Sequence, residues 1–226
     1  MHNLTLLHGG TVRRGAYGHI KTGGRVYIEP GTSFQSLHVT GDTICVDIHG
    51  GSIKVDGSLQ LPTGVLKVGT LSGHGRILGR GTIRAAKLDF QGLLRTEGDI
   101  YVKQSFTFQG LMQGQQRVVA RSIDILGVAE ASTMIASHIR IRNMHPKVVP
   151  LEHIRWMVRA SKVRAITCQR AEIHKCICRI LHTCRADLRE GSFVHEAVCL
   201  ATMTTDKSSA AILITGAPKR LHVAGH

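Results

Sequence analysis

Four cysteines and two histidines crowd one short stretch of this chain: Cys168, His174, Cys176, Cys178, His182 and Cys184 lie within seventeen residues. Thiolates and imidazoles are the ligands zinc prefers, and a structural zinc site gathers four of them in a tetrahedron. The spacing argues against such a site, because C-x7-C-x-C-x5-C lacks the C-x2-C pair of the familiar knuckles. On a strand, Cys176 and Cys178 point to one side together, as core cysteines do when they pack as small hydrophobes. Core packing is the expectation, and no cofactor is expected. Cys168, Cys176, Cys178 and Cys184 are the residues that a zinc site would use.

Fourteen histidines raise the question of acid–base catalysis, above all His74 in "SGHGR". A histidine on the surface of a coil serves as general base in the left-handed hexapeptide-type β-helix acyltransferases, which makes that enzyme class the rival to a non-enzymatic reading. No Ser/His/Asp set or carboxylate pair can be placed from the sequence, so no catalytic residue is assigned. A G-x4-G-K-[ST] motif is absent, and the glycines of "GTLSGHGRILGRG" fall at turns rather than between a strand and a helix.

The net charge of +14 predicts attraction to an anionic surface or an acidic protein. The excess is uneven: twelve Lys or Arg face three acids (Glu152, Glu172, Asp187) between His138 and Arg189. Arg155, Arg159 and Lys162 are the expected contacts to an anionic membrane surface. A nucleic-acid binder would interleave aromatics with its cations, and the basic half offers only Trp156, so nucleic acid is not the expected partner.

The elements that carry these residues announce themselves by repetition. "LDFQG" from Leu88 returns eighteen residues later as "FTFQG" from Phe106. Followed both ways, the word begins at Leu4, Ile20, Leu37, Ile53, Leu71, Leu88, Phe106, Ile123 and Ile139, with steps of 16 to 18 residues. The first position is apolar in all nine copies and the fifth is glycine in seven. Each word alternates apolar and polar and then turns, as a short strand with one inward face does. Five residues cannot bury that face alone, but stacked copies can. The predicted fold is all-β, a single-stranded parallel β-helix with one coil per repeat. A hexapeptide form is the alternative, since Leu71, Ile77 and Ile83 fall six apart, but coils of 16 and 17 residues do not divide by six.

About nine coils are expected over residues 1–143, a basic linker or short helix over 144–163, and an irregular β-helical extension with a C-terminal tail over 164–226. "MHNLTLLHGG" has no basic region or long apolar run of a secretory signal, and no stretch of about eighteen apolar residues occurs. A cytoplasmic protein with reduced cysteines is the expectation, with the inner face of the membrane open to its basic half.

The strings "SIKVDGSL", "EGDIYVKQSFTFQGLMQG", "HIRIRNMHPK" and "RADLREGSFVHEAV" resemble the bactofilins, polymer-forming bacterial cytoskeletal proteins, and in particular their longer Gram-positive variants. The resemblance spans residues 4 to 143 and, more loosely, 164 to 200. It implies a right-handed β-helix that assembles end to end into filaments without nucleotide and serves as a scaffold. In such a stack the first coil presents an unpaired edge. "MHN" before Leu4 offers neither helix nor proline to blunt it, so Leu4 and Leu6 are the expected polymer interface.

Overall fold

The computed structural model describes residues 2–144 and 159–222. Among these the regular elements are all strands, with no helix. They form two compact units, Met1–Phe108 and Gln109–His226, each a β-solenoid of stacked parallel coils.

In the first unit the predicted words stand directly over one another. Leu4 pairs with Ile20, Ile20 with Leu37, Leu37 with Ile53, Ile53 with Leu71 and Leu71 with Leu88. Two residues along, a second inner column runs Thr22, Val39, Val55, Gly73 and Phe90. Further columns close the interior from other sides. One runs Val26, Thr43, Leu59, Ile77 and Leu94, and another Ile48, Leu66 and Ile83. Nearly all of these side chains are wholly buried, and each large aliphatic one removed from water contributes about 1.5–3 kcal/mol. Phe90, Phe106 and Phe108 stack inside the same unit, with Phe90 and Phe108 centroids 6.5 Å apart and Phe106 and Phe108 6.3 Å apart. The twin words "LDFQG" and "FTFQG" thus recur because Phe90 and Phe108 fill the same position of successive coils.

The terminal glycine of the word has a steric cause. A Cβ on Gly57 would come 2.5 Å from the carbonyl oxygen of Gly41, and one on Gly75 would collide with that of Gly57. Those carbonyls cannot swing away, because Ser58 N–H donates to Gly41 O at 2.9 Å and Arg76 N–H to Gly57 O at 2.8 Å. The chain turns this corner so close to the coil beneath that only glycine fits.

The second unit repeats the design with different letters. Ile123 pairs with Ile139, which pairs with Ala171, then Ala186, then Met203. Around the coil, Ala131 pairs with Val163, Cys178, Val194 and Ala211 in turn. The segment expected to be irregular stacks strand on strand with one register shift, between Thr183 and Arg185, and only fifteen residues separate Ala171 from Ala186, one fewer than the shortest predicted coil. The corner position passes from Gly127 to Asn143 and then to Lys175 and Glu190, which hold positive φ of 49° and 57°. Strand structure resumes at Ser161, in Ser161–Thr167, so residues 161–163 of the expected linker belong to the stack. Residues 145–158 of the expected linker or short helix lie outside the described residues.

Candidate functional site

The thiols of the Cys/His-rich stretch are distributed by the coil walls. Cys176 stacks on Ser161, and Cys178 sits between Val163 and Val194. Both are fully buried on the inner face, as are Cys45 and Cys199. Burial pushes the Cys178 and Cys45 thiols up to about 12 and raises those of Cys176 and Cys199. Cys168 is half-buried; desolvation pushes it to about 11 against the pull of Thr183 Oγ1, to which its Sγ donates at 3.5 Å. Metal binding needs thiolates, and these surroundings favour the neutral thiol. Cys184 is half-buried, His182 is exposed, and His174 Nδ1 lies 3.1 Å from Glu190 Oε1. Among the described residues no group of three or more His, Cys, Asp or Glu side chains is arranged to hold a metal ion.

His74 belongs to a cluster on the outer face of the first unit. Asp56, whose side chain is mostly buried, meets His38 Nε2 at 2.7 Å and Lys54 Nζ at 2.8 Å. His74 Nδ1 lies 3.2 Å from Asp56 Oδ1 without the alignment of a hydrogen bond. The bond from Lys54 holds the Asp56 carboxyl below its usual range; burial opposes this and His38 adds to it. Among the described residues neither ring of this cluster is in hydrogen-bond contact with a hydroxyl or thiol. What the geometry builds is a polar clamp joining three coils. The period could have revealed it, since His38, Asp56 and His74 are eighteen residues apart. Two imidazoles elsewhere do meet a hydroxyl: His19 Nδ1 lies 2.6 Å from Ser36 Oγ and His222 Nδ1 lies 3.1 Å from Thr205 Oγ1.

The expected anionic-surface contacts fare differently from one another. Arg155 lies outside the described residues. Arg159 is exposed but is engaged by Glu130, with Nη2 3.1 Å from Oε1. Lys162 is exposed and stacks in register over the same Glu130. One carboxylate therefore offsets much of the charge that these two cations would offer a partner.

The expected polymer interface is an open strand edge. The strand His2–Leu6 pairs with Ala16–Thr22 and with no other described strand. Leu4 and Leu6 are half-buried there, and Leu7 just beyond is 55% exposed. Leu7 is the residue missed in the sequence, since it falls outside the alternation of the word. In the second unit, Ala210–Thr215 and Lys219–His222 each pair only with Phe193–Thr205 among the described strands. Ile212, Leu213 and Leu221 are 63%, 53% and 44% exposed.

Comparisons of this chain with protein-family models, with curated proteins and with solved structures find no match. The class defined by the fold is that of β-solenoid proteins, and no helix among the described residues is long and apolar enough to cross a membrane.

Proposed function

We propose that this protein is a non-enzymatic, polymer-forming scaffold of the cytoplasm whose solenoids join end to end through their open edge strands. The observation that carries the reading is the His2–Leu6 strand, which among the described strands has a partner on one side only. An inner coil pairs its backbone N–H and C=O groups above and below, whereas a terminal coil leaves one row unpaired and ready to template another strand. Folded proteins blunt such edges with charge, proline or a cover, and "HNLTL" carries neither proline nor lysine, arginine or acid. Exposed Ile212 and Leu213 on the one-sided strand Ala210–Thr215 offer a surface of matching character, whereas Lys219–His222 carries Lys219 and Arg220. A contact between these unlike edges is heterologous, and such contacts propagate into a filament unless rotation closes a ring. The resemblance to bactofilins implies the same role.

Replacing Leu4 and Leu6 together by lysine tests the reading, because it places two charges on the edge. Loss of polymer with an unchanged circular-dichroism spectrum, and no more than the modest fall in melting temperature that two half-buried side chains imply, is the expected result. Undiminished polymer in that variant would remove the edge from the mechanism, and a discrete trimer with acyl-transfer activity would replace the scaffold by the enzyme.

A further inference from the structure

The outer wall of the second unit carries a column of cations with no carboxylate in it. In register, Ser122 is followed by His138, Arg170, Arg185, Thr202 and Lys219. Neighbouring coils are about 4.8 Å apart, and like charges directly opposite one another in a sheet are destabilising. The next outward column shows how this wall compensates charge elsewhere. Arg140 bonds Glu172 at 3.0 Å, Arg189 holds both oxygens of Asp187 at 2.9 and 3.1 Å, and Arg142 meets Asp124 at 3.2 Å. Arg170 and Arg185 are exposed, and among the described residues neither has a carboxylate partner. They line an open groove of about 270 Å³ with Thr202, Thr204 and the already engaged Asp187.

We infer that this groove binds a phosphoryl oxyanion, with Arg170 and Arg185 as the charge-bearing ligands and Thr202 as a hydroxyl donor. Two guanidinium forks one coil apart present more donors than a carboxylate, with two oxygens, can accept; a terminal phosphoryl group offers three oxygens and up to two negative charges. Each arginine prefers planar, bidentate oxyanion recognition to a point contact. Lys219, further along the column, extends the attraction to a chain of such groups. No aromatic side chain lines the groove, so the site recognises phosphate and not a stacked base.

The probe is inorganic tripolyphosphate, titrated by calorimetry into the full chain at about 0.15 M salt, where the screening length is about 8 Å. Arg170→Gln with Arg185→Gln should weaken binding about tenfold per arginine lost, the worth of a charge-assisted bond. Arg164→Gln with Arg179→Gln removes the same charge from a different outward column of this unit and should change affinity by less than about threefold, because screening leaves only local charges effective. Flotation with vesicles separates the sources of the group. Binding to phosphatidic acid, a phosphate monoester, with the same dependence on Arg170 and Arg185 assigns the site to a lipid headgroup, and tripolyphosphate binding alone assigns it to a soluble ligand. Equal losses in the two double variants, or no tripolyphosphate binding by the unmodified protein, overturn the inference.

Discussion

Replacing Phe106 by aspartate strikes the interior where the structure is most explicit about packing. The ring is 0% exposed and stacks 6.3 Å from Phe108. Removing a buried phenylalanine costs about 3–5 kcal/mol in lost transfer and cavity energy. An aspartate there must also shed its charge, and protonating a carboxyl of ordinary pKa near 3.9 at pH 7 costs about 4 kcal/mol. The sum, about 7–9 kcal/mol, rivals the whole stability of a typical domain. At about 2–4 °C per kcal/mol for a chain of this size, the melting temperature should fall by about 15–35 °C. Thr107→Asp, one residue along on the exposed face, should cost less than about 1 kcal/mol. Acid supplies the sign test. Burial raises the folded-state pKa of the introduced carboxyl, so its penalty is present at neutral pH and fades as pH falls from the folded value toward the unfolded one near 4. Thermal melts of both variants at pH 7 and pH 4 measure this. Equal shifts for the two positions, or a gap in melting temperature between wild type and Phe106→Asp that does not narrow in acid, would refute the inward assignment.

The corner glycines predict that Gly57→Ala costs about 1–3 kcal/mol as overpacking against the held Gly41 carbonyl; Gly15→Ala, whose Cβ meets only the Tyr17 ring at 3.3 Å, is near neutral, and equal urea midpoints would remove the steric argument. The thiol environments predict that Cys45, Cys176 and Cys178 resist a disulfide reagent at pH 8 until denaturant is added, and that protein purified without an affinity tag carries far less than one zinc per chain. Rapid labelling of those cysteines or stoichiometric zinc would contradict core packing. Asp206 is held down to about 2: burial opposes, but bonds from Ser209, the Glu190 N–H and Ser208 prevail. A depressed carboxyl contributes stability above its unfolded pKa and loses it as pH falls through the folded one. Urea melts should therefore show Asp206→Asn well below wild type at pH 7, with the difference vanishing between about pH 4 and pH 2; a difference constant with pH would exclude the linkage.

The column from Leu4 to Leu88 was legible because every member is a large aliphatic residue and, from Ile20 on, each word ends in a corner glycine. The corresponding column of the second unit was illegible past Ile139 for the same physical reasons reversed. Its inner residues shrink to Ala171 and Ala186, and Lys175 and Glu190 turn the corner in the left-handed region without glycine. The basic half was visible as a count of charges, but charge carries no period, so its pairing was not. Arg159 is tied to Glu130, while Arg170 and Arg185 stack without an acid. Cys176 and Cys178 were readable as inward by alternation alone. The Asp56 clamp required the coil length as well as the residue types, since its members are remote in sequence and adjacent in the stack.

Sedimentation of the purified full chain over a wide concentration range, with negative-stain microscopy of the same samples and no added nucleotide, tests self-assembly most directly. Open edges on terminal coils predict polymers whose mass rises with concentration and which appear as filaments. A protein that remains strictly monomeric by light scattering at the highest concentration would contradict it.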